Sequence, residues 1–190
     1  NKAQRGELYH HVPFGYVILP NGEVAFDPDE QAQHVVRLIF EKFDEIGTIY
    51  SLFHWLVRHE INLPIRAQKG RNKGELEWRR PSLGTLCQTL HNPIYAGAYA
   101  YGRRPRDPKA RYAISAKRRH QWKPREEWLV LIRDRLPAYI TWQQYENNLA
   151  RLKANRRGPE NAGAPSRGMA LLSGVAACGN CGKRFKVAYP

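Results

Sequence analysis

Hydrophobic residues in the first sixty positions recur every three to four residues in two consecutive segments, which predicts two short helices. Asp27 can cap the first helix, with Pro28 at its first position and Glu30 closing a capping box. This helix should run to about residue 45, end at Gly47 and turn one apolar face inward: Val35, Ile39, Phe40 and Phe43. Thr48 then caps a second helix, which ends near His59 and buries Ile49, Leu52, Phe53 and Leu56.

A third helix is predicted after a basic segment. Residues 66–80 are rich in glycine, lysine and arginine, and they are predicted to form a loop. Pro81 and Ser82 then open a helix that runs to about His91. Its pattern turns Leu83, Leu86 and Leu90 toward the core, and it turns Ser82, Thr85 and Gln88 outward.

The remaining patterns predict short strands and a fourth helix. Residues 11–19 are predicted to form an extended segment. After a turn at 20–23, a second strand that runs back begins at Val24 and Phe26. Segments 95–101 and 128–132 are predicted strands joined by a long basic loop, residues 102–125. Thr141 caps the last helix, whose inward residues are Trp142, Tyr145, Leu149 and Leu152. The expected fold class is α+β, mainly α with a small β-hairpin, and its first three helices suit a helix-turn-helix-like domain.

Composition suggests where this domain ends. Residues 153–169 are rich in Ala, Asn, Arg, Gly and Pro and hold no large apolar residue before Met169, which is typical of a linker. We therefore expect a domain over residues 1–152, a linker over 153–169 and a new small unit over 170–190. The chain begins at Asn1 without an initiator methionine, so we expect it to come from a longer protein.

Charge changes this picture because it is concentrated in one part of the chain. The 190 residues carry a formal net charge of +14, from 31 basic and 17 acidic residues. Residues 1–65 have a net charge of −4, residues 66–125 of +13 and residues 126–190 of +5. A polyphosphate backbone neutralises such a segment well, since binding also releases condensed counterions. A membrane surface is disfavoured, because the Gly and Pro residues interrupt any basic amphipathic helix.

The candidate nucleic-acid contacts follow from this charge map. Ser82, Thr85 and Gln88 have the chemistry to reach base edges, and Arg79 and Arg80 can pair with phosphates or with guanine. The alternative is that the three helices form only a hydrophobic core and that these polar residues face solvent without binding a ligand. Further candidates in the two basic loops are Arg71, Lys73, Arg103, Arg104, Arg106, Lys117, Arg118 and Arg119.

The cysteines indicate half of a metal site. Cys178 and Cys181, flanked by Gly179 and Gly182, have the spacing of one zinc-binding pair, and no second pair follows. Cys87 lies in a predicted core helix, where a small buried residue is expected. Three cysteines do not form a disulfide framework, which favours a reducing cytoplasm.

The sequence holds no HExxH motif, no phosphate-binding glycine loop and no catalytic dyad context, so no catalytic residue is predicted.

Two other functions remain open at this point. An RNA-binding or ribosome-associated basic protein would use Tyr99, Tyr101, Tyr112 and Trp122 as stacking surfaces. A redox or metal enzyme would use Cys178 and Cys181, although no βαβ pattern surrounds them.

Several motifs, taken in order, resemble the central and C-terminal region of large serine recombinases, a family of phage integrases and transposon resolvases. They cover almost the whole chain: Pro13-Phe14-Gly15-Tyr16, Asp27-Pro28-Asp29-Glu30, Trp78-Arg79-Arg80-Pro81-Ser82-Leu83, Asn92-Pro93-Ile94-Tyr95-Ala96-Gly97, Leu171-Leu172-Ser173-Gly174 and Cys178-Gly179-Asn180-Cys181-Gly182.

The resemblance implies a recombinase domain that binds attachment-site duplex DNA, followed by a zinc ribbon. It implies a separate catalytic domain with a nucleophilic serine, a dimer on each site and a tetramer in synapsis, in a bacterial or phage-type cytoplasm at the nucleoid. The family's DNA contacts map onto Arg79, Arg80, Ser82, Thr85 and Gln88, and more loosely onto Arg103 and Arg104. The missing second cysteine pair departs from the family and puts zinc binding by this chain in doubt.

Overall fold

The computed structural model describes residues 2–9, 11–67, 71, 74–103 and 124–155. Residues Asn1–Arg151 form one compact unit, and Leu152–Pro190 form a second, of which only residues 152–155 are described. The described residues form four α-helices and three separate two-stranded antiparallel sheets. The predicted α+β class is confirmed, with more paired strands than the single hairpin expected.

An N-terminal hairpin precedes the helices, as predicted. Strand β1 (Tyr16–Ile18) pairs with β2 (Val24–Phe26), with Tyr16 opposite Phe26 and Ile18 opposite Val24. The pairing is shorter than the predicted extended segment 11–19, because the residues before β1 are not paired.

Helix α1 (Glu30–Ile46) begins later than predicted, and its N-cap is Asp29 rather than Asp27. The Asp29 side chain accepts a hydrogen bond from Ala32 N–H, so Glu30 does not close the expected capping box. The reason is that the Asp27 carboxylate is held elsewhere, by the Arg66 guanidinium. The predicted inward face is confirmed, and the helix ends at Gly47.

Helix α2 (Ile49–Arg58) begins at the predicted cap. Thr48 accepts a hydrogen bond from Ser51 N–H, and Leu52 and Leu56 are buried completely. The helix packs against α1 on one side and against the third helix on the other.

The segment predicted as a basic loop is in part a β-hairpin, so the loop prediction for residues 66–80 is wrong at both ends. Strand β3 (Leu63–Arg66) pairs with β4 (Leu76–Arg79), and Pro64 lies opposite Trp78. Apolar side chains at Leu63, Ile65 and Leu76 attach these strands to the protein, a pattern that the surrounding charge conceals. We call the described residues of this region, 63–67, 71 and 74–79, the basic hairpin.

Helix α3 (Leu83–Leu90) has Ser82 as its N-cap, as predicted. Leu86 and Leu90 are buried, but the prediction that Leu83 faces the core is wrong, since 42% of Leu83 is exposed. Thr89 is buried instead, and its hydroxyl donates to the Thr85 carbonyl 3.0 Å away. The intrahelical hydrogen bond lets a polar side chain occupy an inward position.

Two predicted strands are shorter than expected. Pro93–Tyr95 form a 3₁₀ turn, so only Tyr99–Tyr101 remain as strand β5 of the predicted 95–101. Strand β6 (Val130–Ile132) pairs with β5, after a second 3₁₀ turn at Arg125–Glu127. Helix α4 (Trp142–Ala154) follows a capping box in which Gln144 N–H donates to Thr141 Oγ1 and Thr141 N–H donates to Gln144 Oε1.

Tyrosines join the N-terminal hairpin to the later half of the unit. The Tyr16 hydroxyl lies 2.9 Å from the Ile94 carbonyl and 2.8 Å from the Pro137 carbonyl, and Tyr16 is only 2% exposed. The Tyr95 hydroxyl donates to the Phe14 carbonyl, and the Tyr139 hydroxyl donates to the Gly15 carbonyl. The rings of Tyr16, Tyr95 and Tyr139 contact one another, with centroids 5.2–6.0 Å apart. Burial raises the pKa of Tyr16 and of Tyr95 above the ordinary tyrosine value.

We expect Tyr16→Phe to lower the free energy of unfolding by about 1–3 kcal/mol, because it removes the buried donor that the Ile94 and Pro137 carbonyl groups share. Urea unfolding followed by circular dichroism measures the change. Tyr50→Phe is the matched control, since Tyr50 is 63% exposed. Equal stability of the two variants would contradict the prediction.

Stability should also fall at alkaline pH. Burial raises the pKa of Tyr139 to about 12, whereas an unfolded tyrosine titrates near about 10. The folded chain therefore holds more protons than the unfolded chain in this window, so the free energy of unfolding falls as pH rises through it. Urea unfolding at several pH values should give a shallower fall for Tyr139→Phe. Parallel curves for the variant and the parent would disprove this.

Candidate nucleic-acid interface

The basic hairpin leads directly into α3. Strand β4 ends at Arg79, and Arg80 and Pro81 connect it to the Ser82 cap. Ser82 Oγ accepts a hydrogen bond from Thr85 N–H at 3.1 Å and lies 2.9 Å from Thr85 Oγ1. These contacts fix the first turn of α3, whose Ser82 cap is separated from the end of β4 by two residues.

The structure divides the three predicted base-contacting residues of α3. Ser82 and Gln88 are exposed, whereas Thr85 is half-buried and its hydroxyl contacts Ser82. Gly84 lies between them on the exposed side of the helix, and its nearest contact for an added Cβ would be Ser82 Oγ at 3.9 Å. The outward surface of α3 therefore carries small and amide side chains that a ligand can approach closely.

The arginines before α3 differ in their surroundings. Arg79 is exposed and pairs with Glu77 on its own strand, where Arg79 Nη2 lies 2.5 Å from Glu77 Oε2. Arg80 and Arg71 are exposed and make no hydrogen bond or ion pair to other residues that the structure describes. An exposed guanidinium without an acidic neighbour binds a phosphate at little cost, because no existing ion pair has to be broken.

Arg103 is bound to the end of α3. Its Nη1 donates to Asn92 Oδ1 at 2.6 Å, its Nη2 donates to the His91 carbonyl at 2.9 Å, and its guanidinium lies over the Trp128 ring. The Tyr145 hydroxyl donates to the same His91 carbonyl. These contacts satisfy the His91 carbonyl at the helix C-terminus and the Asn92 side chain after it, so Arg103 supports the position of α3.

An open cleft of about 860 Å³ runs beside α3 and brings several of these residues together. Thr85, Gln88 and Arg103 line it, together with Arg66 from the basic hairpin and Tyr101 from β5. Tyr101 is 39% exposed, whereas Tyr99 is buried. Of the aromatic residues considered for base stacking, the described residues therefore present Tyr101.

Many predicted site residues lie outside the described part of the chain. They are Lys73, Arg104, Arg106, Lys117, Arg118, Arg119, Cys178 and Cys181, and also the aromatics Tyr112 and Trp122. Within the described residues, no group of three or more His, Cys, Asp or Glu side chains is placed to hold a metal. Cys87 is a half-buried free thiol, with its Sγ 3.6 Å from His91 Nδ1. No described helix is both long and apolar enough to span a membrane.

Sequence reasoning missed the ion pair between Arg66 and Asp27. Arg66 Nε donates to Asp27 Oδ2 and Arg66 Nη2 to Asp27 Oδ1, both at 2.6 Å. These hydrogen bonds raise the pKa of the Arg66 guanidinium above its ordinary value. The two residues lie 39 positions apart, and no periodicity or motif in the sequence connects them.

Comparison with known proteins identifies the family. Residues 30–155, about two thirds of the chain, match the family model described as Recombinase. The chain belongs to the recombinase family. This confirms the resemblance to the recombinase domain of large serine recombinases that the motifs indicated.

One curated relative of this recombinase-family chain is an uncharacterized protein, y4bA/y4pH, from Sinorhizobium fredii. The two are 40% identical over 192 residues, which cover 100% of this chain and 27% of the relative. The chain thus spans about a quarter of that protein's length.

Two solved structures are similar to the recombinase-family chain at 16% identity. One, from work on the sequence requirements of the Listeria innocua prophage attP site, has a TM-score of 0.52 and covers 97% of this chain and 61% of its own. The other is a complex of a large serine recombinase with DNA, with a TM-score of 0.49 and coverages of 90% and 40%. The first of these supports a shared fold.

The exposed surface of α3 allows a prediction about stability. Gly84→Ala meets no close atom, and alanine favours the helix, so we expect the free energy of unfolding to rise by about 0.5–1 kcal/mol. Gly97→Ala is the matched control: an added Cβ would lie 2.8 Å from the Leu136 carbonyl, at a φ of +72°. That variant should lose stability. Thermal unfolding separates the two, and a destabilised Gly84→Ala variant would contradict the prediction.

Proposed function

We propose that this chain binds duplex DNA at the attachment sites of a site-specific serine recombinase, and that it thereby serves DNA integration or recombination. The observation that carries the proposal is the set of exposed residues Arg80, Ser82, Gly84 and Gln88, which follow one another from the end of β4 into α3, together with the exposed Arg71 of the basic hairpin. Recombinase-family membership and the net charge of +13 over residues 66–125 support it.

The chemistry of this run suits a groove of duplex DNA. The Gln88 side-chain amide can donate to and accept from one adenine edge, and Ser82 can pair with several bases. Arg80 precedes the helix start, where phosphate is favoured by both the guanidinium and the helix dipole. The small Gly84 lets the helix approach the bases closely. The structural relative that concerns a prophage attP site is consistent with this assignment.

The proposed function also concerns the longer protein to which this chain would belong. It places strand-exchange chemistry in a separate catalytic domain, with a dimer on each site and a tetramer in synapsis, in a bacterial or phage-type cytoplasm. It assigns no catalytic residue to this chain. Cys178 and Cys181 supply two of the four ligands that a structural zinc requires, so the donor set of this chain does not complete a zinc site.

Duplex binding should weaken steeply with salt, because each neutralised phosphate contributes about −0.9 to the slope of log affinity against log salt concentration. Fluorescence anisotropy with a labelled duplex of arbitrary sequence measures the slope. Arg80→Ala should reduce its magnitude by about 0.9 if Arg80 binds a phosphate. Arg5→Ala removes the same charge from an exposed residue that pairs with Glu7, and it should have a smaller effect.

Gln88→Ala tests base recognition, so its effect has to be measured on a duplex sequence that the parent chain recognises. Selection from a random duplex library with the parent chain supplies that sequence, on which Gln88→Ala should lose about 1–3 kcal/mol of binding free energy and relax specificity. On arbitrary duplex the same variant should bind as the parent does. A salt-independent affinity, or tighter binding to single-stranded RNA than to duplex DNA, would overturn the proposed function.

A further inference from the structure

The Asp27–Arg66 ion pair joins the basic hairpin to the beginning of α1. Asp27 is 1% exposed, and the Arg66 side chain is 28% exposed. The pairing is bidentate, through Arg66 Nε and Nη2 to the two carboxylate oxygens at 2.6 Å. A buried carboxylate requires such a partner, since an unpaired buried charge is strongly destabilising.

Asp27 is itself held rigidly by its neighbours. Its N–H donates to the Gly15 carbonyl at 2.9 Å, and its Oδ1 accepts from Asp29 N–H at 3.0 Å. Its own carbonyl accepts from Gln33 Nε2 at 2.8 Å. The N-terminal hairpin and α1 therefore both fix the acceptor to which Arg66 is bound.

Arg66 also holds the second strand of the basic hairpin. Its Nη1 donates to the Gly74 carbonyl at 2.7 Å, just before β4. The backbone closes the hairpin at the same level, where Ala67 N–H donates to the Glu75 carbonyl. One guanidinium thus fixes both strands of the basic hairpin to the beginning of α1.

The pair lies where the basic hairpin leaves the protein body. Leu63 and Pro64 at the base of β3 are buried, Ile65 and Arg66 are half-buried, and Arg71 and Gly74 are exposed. The apolar residues at the base already attach the hairpin. Arg66 lies beyond these apolar residues, toward the exposed Arg71. Its contacts therefore set the direction of the hairpin more than they attach the hairpin to the protein.

We propose that Asp27 and Arg66 are a positioning pair that holds the basic hairpin beside α3, so that Arg71 binds the phosphate backbone of the duplex that α3 contacts. Arg66 acts through the hairpin and touches no base. This inference rests on the proposed function, because it assumes that α3 binds duplex DNA.

A double-mutant cycle on the 190-residue chain tests the pair. Arg71→Ala should reduce the magnitude of the salt slope on an arbitrary duplex by about 0.9, the value for one phosphate. Arg66→Met should cause a similar loss, because the hairpin then no longer holds Arg71 in place. Adding Arg71→Ala to Arg66→Met should change the slope no further.

Two more variants cover the case in which Arg66→Met does not fold. Arg66→Lys keeps the charge but not the bidentate geometry, and Asp27→Asn removes the charge from the other side of the pair. Each should reproduce the loss of slope in protein that circular dichroism shows to be folded. Arg125→Met is the control, because it breaks another ion pair whose arginine is similarly exposed, Arg125–Glu146, and it should leave the slope unchanged.

A purely structural role for the pair gives a different result. The variants would then unfold at lower temperature yet keep the parent's slope, and Arg71→Ala would subtract the same 0.9 in both backgrounds, as about one phosphate contact predicts. Either outcome overturns the positioning role while leaving the proposed function intact. A parent chain whose duplex binding does not depend on salt would overturn the proposed function itself.

Discussion

Three tyrosine hydroxyls hold the two halves of the N-terminal unit together. Tyr16, Tyr95 and Tyr139 each donate to a backbone carbonyl far away in the sequence, and their rings form one cluster in which Tyr16 and Tyr95 are buried. The acceptors include carbonyls just before β1 and just after α3, so the end of α3 is set by the same contacts that seat the N-terminal hairpin. A hydrogen bond between a buried hydroxyl and its acceptor fixes how the two packed segments are oriented, which apolar contacts alone do not do.

The arginines of this protein separate into two groups by their surroundings. Arg66 and Arg103 are bound to buried or backbone acceptors and hold the basic hairpin and the end of α3. Arg71 and Arg80 are exposed, and the described residues give them no acidic partner. Net charge alone does not distinguish these groups, since all four lie in the same strongly basic stretch. Only the geometry shows which guanidinium groups stabilise the fold.

Local signals were sufficient to locate the helices. The Thr48 and Ser82 caps and the buried face of α1 were predicted from spacing and capping chemistry, because both depend on neighbours within one or two turns. The basic hairpin was missed because charged and glycine residues conceal its apolar positions. The Asp27 cap was assigned wrongly because a partner 39 residues away takes its carboxylate. Long-range partners of this kind leave no periodic signal in a single sequence.

The anchor at the base of the basic hairpin also bears on how such domains acquire new targets. Arg66 binds Asp27 and the Gly74 carbonyl, and the Gly74 N–H donates to the Ala67 carbonyl at 2.8 Å. The contacts that close the hairpin therefore lie within its base, at Arg66, Ala67 and Gly74. A base that is closed by its own side-chain and backbone contacts gives a protein engineer a fixed pair of chain ends, at Ala67 and Gly74, between which a different recognition sequence can be grafted.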